Sequence, residues 1–140
     1  MIAVTIQREV AERLRALPST GEYGALTVMV QMLADVEVMR VLPRTAFWPA
    51  PKIESCLVRL RPKNRLGERA REFSTFLQTL FSARRKMLRG TLGKRFGDVS
   101  SVLREMGVRE EARPEELAPE QLFRLFEFVE PSRAGGTAAQ

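Results

Sequence analysis

The 140 residues include no histidine, one cysteine (Cys56), one tryptophan (Trp48), one tyrosine (Tyr23) and one asparagine (Asn64). Without imidazole there is no Ser–His or Cys–His nucleophile pair, no histidine general base and no His-containing zinc site. A lone cysteine excludes an internal disulfide and any multi-cysteine metal site, and it fits a reducing compartment. No apolar run approaches the roughly 20 residues of a membrane span, and the N-terminus lacks the basic-then-apolar order of a signal peptide. A cytoplasmic chain with no membrane partner is therefore expected. Gly-x-Gly occurs nowhere, and the six methionines are scattered with no metal-binding pattern.

Charge of one sign is what the chain does have, and it is concentrated. Lys and Arg number 23 against 17 Asp and Glu. Between Phe73 and Gly97 lie Arg84, Arg85, Lys86, Arg89, Lys94 and Arg95, with no acidic residue among them. These six equal the whole net charge of +6, so the rest of the chain is balanced. A local excess on a neutral background points to a defined anion-binding surface, with nucleic-acid backbone the leading ligand. On a helical wheel Arg85, Lys86 and Arg89 share a flank beside Leu88 and Leu92. Lys94 points elsewhere unless Gly90 or Gly93 interrupts the helix.

Hydrophobic periodicity changes along the chain. Ile2 to Ile6, Val36 to Leu42 and Ile53 to Leu60 read as strands, the last with the alternation Ile53, Ser55, Leu57. Gln7 to Leu17 has helical spacing through Val10, Leu14 and Leu17, with Glu9 placed to pair with Arg13. Ala25 to Ala34 mixes β-branched residues with a helical face and is read as a helix. The proline-rich stretch Pro43 to Pro51 is a loop. This first part reads as the edge of a mixed α/β sheet with apolar residues on both strand faces. Sixty-one residues cannot cover such a sheet, so a larger α/β domain is expected to accompany it. Residues 62–68 read as a linker. From Phe73 to Phe96, Phe and Leu recur at helical intervals as one core stripe. Asp98 and Gly107 bracket a short helix, and Pro119 opens a last one. Residues 131–140 read as a disordered tail.

Five segments carry a family resemblance. Ala46-Phe-Trp-Pro-Ala-Pro-Lys-Ile-Glu-Ser55, followed by Val58-Arg59-Leu60, resembles an Ala-Phe-x-Pro-x-Pro-Lys-Val-x-Ser motif. The others are Gln7-Arg-Glu-Val-Ala-Glu-Arg-Leu14, Tyr23-Gly-Ala-Leu-Thr-Val-Met-Val-Gln31, Phe81-Ser-Ala-Arg-Arg-Lys-Met-Leu-Arg89 and Arg113-Pro-Glu-Glu-Leu117. In this order they are similar to the last part of the small-subunit rRNA adenine N6,N6-dimethyltransferases (the KsgA family and its Erm relatives). The resemblance implies the last strands and helices of a Rossmann-like α/β methyltransferase domain over 1–61, a linker over 62–68 and a small all-α rRNA-docking domain over 69–130. It implies small-subunit rRNA as partner, together with an N-terminal methyltransferase half that this sequence does not contain. S-adenosylmethionine is the cofactor of the intact family enzyme. Its Gly-rich turn and the family's Asn-(Leu/Pro/Ile)-Pro-Tyr motif are both missing here, so no cofactor binding and no catalytic residue are expected of this chain alone.

The resemblance assigns Phe47 to one wall of the target-adenine pocket, where a flipped base is gripped by an aromatic face. The plainer reading has Phe47 anchoring its loop, and Trp48 reads as packing. Arg84, Arg85, Lys86, Arg89, Lys94 and Arg95 are the expected rRNA contacts, against the alternative of a solvated helix face. Cys56 reads as a small core residue. Glu110, Glu111, Glu115 and Glu116 read as solvated loop and cap residues. Two other functions stay open: a stand-alone RNA-binding or ribosome-assembly module without catalysis, and a DNA-binding regulator using Arg84–Lys94 as a recognition helix.

Overall fold

A computed structural model describes residues 1–131 and divides the chain into two compact units, one ending and the other beginning between Ala70 and Arg71. Residues 132–140, nearly all of the segment read as a disordered tail, lie outside the described residues.

The first unit holds three strands, β1 (Ile2–Gln7), β2 (Ala34–Leu42) and β3 (Ser55–Pro62), in the order β1-β3-β2. Both pairings are antiparallel. The described strands thus form no parallel pair, and β3 lies between the other two. The expectation of apolar residues on both strand faces is corrected. Cross-strand partners Val4, Val58 and Val38, together with Ile6, Val36, Cys56 and Leu60, pack with Ala11 on one side. Successive side chains alternate between faces, so the neighbouring positions Thr5, Glu37, Arg40, Leu57 and Arg59 occupy the other. There Arg59 forms an ion pair with Glu37 across the strands. The buried set in β3 is Cys56 and Val58, one residue out of step with Ile53, Ser55 and Leu57; Ile53 is exposed. A bulge at Met39 lets Val38 face Val58 while Arg40 faces Leu57, re-aiming the end of β2.

Two helices connect β1 to β2. Helix α1 (Arg8–Leu14) carries the i,i+4 pairs Arg8–Glu12 and Glu9–Arg13 and stops short of Leu17, which is exposed. Helix α2 (Ala25–Leu33) forms despite its β-branched residues because two of its polar side chains complete the end of α1. Thr27 Oγ1 accepts the Gly24 N–H at 3.1 Å and donates to the Arg13 carbonyl at 2.7 Å. One turn on, Gln31 Nε2 donates to the carbonyls of Leu14 and Ala16 at 2.9 and 3.0 Å. Carbonyls that a helix end leaves unpaired are thereby satisfied inside the unit. Residues 63–65 are tied down too: the N–H groups of Lys63 and Asn64 reach the Leu33 carbonyl, and that of Arg65 reaches Met32.

The second unit is helical, with α3 (Ala70–Ser82), α4 (Leu88–Phe96), α5 (Ser100–Glu105) and α6 (Pro119–Val129). Phe73, Phe76, Leu77 and Leu80 bury one face of α3. The Phe73 ring meets Phe123 edge-on at 5.2 Å and Phe126 at 5.3 Å; Phe76 meets Phe126 at 5.3 Å. The stripe from Phe73 to Phe96, read as one run, is two helices. The chain turns over residues 83–87, and the Leu88 N–H bonds the Ala112 carbonyl at 2.8 Å, fixing where α4 begins. The N-cap of α5 is Val99, not the expected Asp98, whose Oδ1 accepts the Ser100 N–H at 2.9 Å from one residue earlier. Gly107, at φ +73°, supplies the left-handed residue after the helix.

Candidate nucleic-acid interface

The turn at 83–87 and the start of α4 bound an open cavity of about 440 Å³. Its walls include Arg85, Lys86, Arg89, Lys94, Arg113 and Thr91, and no carboxylate. The helix break explains the grouping. On one continuous helix Lys94 would diverge from Arg85 and Lys86. Here residues 84–86 lie in the turn, Gly90 and Gly93 sit inside an unbroken α4, and all three cations meet at one cavity. The first turn of α4 has no acidic residue, so its positive dipole end adds to the field.

The six predicted cations separate into two groups. Arg84 Nη2 and Nε reach Glu115 Oε2 at 2.7 and 3.2 Å, and Arg95 pairs with Glu130 at 2.9 Å. Neither lines the cavity. Arg89 does, with a looser pairing to Glu110 at 3.6 Å. Arg85, Lys86 and Lys94 make no ion pair among the described residues. Of the glutamates read as solvated loop and cap residues, three have cation partners: Glu110 also takes Arg104 at 3.2 Å, Glu115 takes Arg84, and Glu116, which does cap the turn at 114–116, takes Arg109 at 2.6 Å. The Arg113 N–H, bonded at 2.6 Å, holds the Glu116 carboxyl below its ordinary range, with Arg109 assisting. Sequence reading missed Arg113 because Glu115 and Glu116 balance its charge locally. It also missed Thr91, whose buried Oγ1 has no hydrogen-bond partner.

In the first unit, the loop from Pro43 to Glu54 places Phe47 and Trp48. A short 3₁₀ turn, Arg44–Ala46, leads into them, with the Phe47 N–H on the Arg44 carbonyl at 3.4 Å. Arg44 Nη1 spans the loop to the Lys52 carbonyl at 3.2 Å. Arg8 secures the far end: its N–H reaches the Glu54 carbonyl at 3.0 Å, and its guanidinium reaches the Glu54 carboxylate at 2.8 Å. Phe47 is 37% exposed. Trp48 is 96% exposed, which overturns its reading as a packing residue.

Among the described residues no group of three or more His, Cys, Asp or Glu side chains could hold a metal ion, and Cys56 is buried. No helix among them is long and apolar enough to cross a membrane. No Gly-x-Gly occurs in the chain, so its residues offer no bare-backbone turn of the kind the family's cofactor approaches. The residues present do not fit S-adenosylmethionine.

Comparison with known proteins is consistent in direction. A family model described as ribosomal RNA adenine dimethylase matches residues 1–130. The chain is 56% identical over 86 residues to a probable ribosomal RNA small subunit methyltransferase A of Pyrobaculum aerophilum, covering 61% of this chain and 38% of that protein. It is 40% identical over 124 residues to the ribosomal RNA small subunit methyltransferase A of Nostoc punctiforme, covering 86% of this chain and 43% of that protein. The chain thus spans less than half the length of either relative. In fold it is similar to a dimethyladenosine transferase from Plasmodium falciparum, with a TM-score of 0.74 at 22% identity over 91% of this chain and 58% of that one.

Proposed function

The chain belongs to the ribosomal RNA adenine dimethylase family, and on that premise we propose that it is the C-terminal portion of an S-adenosylmethionine-dependent rRNA adenine N6,N6-dimethyltransferase. Its first unit is the closing part of a Rossmann-like domain, and its second docks on small-subunit rRNA in the cytoplasm. The observation that carries this reading is the cavity with five cations and no acid in its walls. Phosphate oxygens entering it would meet Arg85, Lys86 and Lys94, whose charge no carboxylate neutralises, with Arg89 and Arg113 beside them. Such contacts position RNA by its backbone and shape and carry no base code. Arg84 and Arg95 are held by Glu115 and Glu130 and do not line the cavity. Phe47 offers the aromatic face for a flipped adenine.

The chain's own residues supply docking and one wall of the base pocket; binding of the methyl donor and its transfer are assigned to the remainder of a complete family enzyme. A DNA-reading helix is disfavoured, since residues 84–86 lie in a turn and not on α4. The test is anisotropy titration of the chain against labelled small-subunit rRNA fragments and duplex DNA of equal length. Tighter, salt-sensitive binding to rRNA is expected; equal or tighter binding to duplex DNA would refute the assignment.

A further inference from the structure

We propose that Trp48 is a stacking platform for an unpaired base of bound RNA, separate from the Phe47 wall. The proposal rests on the RNA-docking reading above and adds a contact to it. A tryptophan side chain ordinarily buries some 150–250 Å² and is among the strongest contributors to a core. This one is the only tryptophan in the chain and is 96% exposed.

The surrounding loop presents it outward by identifiable bonds. Arg44 closes the loop onto the Lys52 carbonyl, the Arg44–Ala46 turn sets the approach to Phe47, and Arg8 grips Glu54 at the exit. Pro49 and Pro51 restrict the backbone that follows, which lowers the entropy lost when a ligand orders it.

The chemistry around the indole selects the occupant. From Pro43 to Ile53 there is no acidic residue, while Arg44 and Lys52 stand four residues to either side of Trp48. Arg44 spends one donor on a carbonyl and keeps its charge, and Lys52 makes no ion pair among the described residues. Both cations line one cavity with Glu9, Glu12 and Glu54, whose carboxylates are paired with Arg13 and Arg8. An exposed aromatic face on a loop carrying two cations that make no ion pair thus matches the pattern of single-stranded nucleic acid, bases on the ring and phosphates on the cations. Every base has a π-face, so the platform tolerates any of the four.

Because Trp48 is the sole tryptophan, its own emission reports the contact. The intact chain is titrated with an unstructured oligoribonucleotide, with a duplex RNA of equal length and with phosphatidylserine vesicles, while anisotropy of 5′-labelled RNA reports binding separately. The expected result is saturable quenching and loss of acrylamide access with the single strand, and neither with the duplex. Trp48→Ala should weaken single-strand binding by roughly 5- to 150-fold, and Trp48→Phe should retain most of it. An exposed side chain leaves the core intact on removal, so unchanged circular dichroism is expected of both variants. RNA binding with unaltered emission and a Trp48→Ala affinity equal to the parent's would overturn stacking and leave docking standing. Quenching by vesicles alone would reassign the residue to a membrane surface and overturn the proposal. No RNA binding by the parent chain would overturn the docking reading, and the platform with it.

Discussion

Replacing Arg85, Lys86 and Lys94 together with Ala removes the three cavity cations that no carboxylate neutralises. Each phosphate neutralised contributes about 0.7 to 0.9 to the slope of log affinity against log salt, so three lost contacts flatten that slope by about 2 to 3. Between roughly 50 and 200 mM salt, the parent should lose about 20- to 40-fold more affinity than the triple variant. Arg84→Ala is the matched control. It removes one positive charge from the same stretch of sequence, but a charge already committed to Glu115. Its expected effect is a loss of about 1 kcal/mol of stability, with the salt slope nearly unchanged. Anisotropy of a labelled small-subunit rRNA fragment across a salt series measures both. The reasoning fails if the triple variant keeps the parent's slope, or if Arg84→Ala flattens it by a full contact, because pairing would then say nothing about which cations meet phosphate.

Three further outcomes follow from the same geometry. Phe126→Ala should cost about 3 to 5 kcal/mol, since the ring is fully buried against Phe73 and Phe76; that is enough to unfold a unit of this size, and thermal melting followed by circular dichroism measures it. Glu116 has a folded pKa below its unfolded one, so the stability it gives is complete above about pH 4.5 and fades as pH falls through the folded value. The Tm gap between the parent and Glu116→Gln should therefore be widest near neutrality and close as pH falls through the folded value, and a gap constant with pH would contradict the assignment. Calorimetry with S-adenosylmethionine should give no saturable heat, because no Gly-x-Gly turn is encoded; a one-to-one isotherm would contradict it.

Periodicity revealed the elements better than their company. The helices carrying Phe73 to Leu80 and Leu122 to Phe126 are legible because each commits its phenylalanines and leucines to one face. Helix α2 was ambiguous because the groups that decide it, Thr27 and Gln31, act by bonding carbonyls of α1, and such a partner leaves no mark in a local window. In β3 the alternation Ile53, Ser55, Leu57 marks a strand without saying which face is covered, and the small residue Cys56, read as core, lies on the buried one. At the candidate interface, the acid-free run located the cations, but the turn at 83–87 decided which of them converge. Lys94 joined the cavity for that reason, and Arg113 arrived from beyond α5 through a fold-level approach that charge counting averages away. Trp48 shows the opposite failure: the resemblance gives that position no role and so suggests packing, and only the loop's path reveals an exposed ring.

The most direct measurement is photocross-linking of the chain to small-subunit rRNA substituted with 4-thiouridine, followed by mass spectrometry of the linked peptides. Linked peptides should come from residues 85–94 and from around Arg113, with a second set at Phe47 and Trp48. Links confined to the charged face of the sheet, at Arg40, Arg59 and Arg61, would contradict docking through the basic cavity.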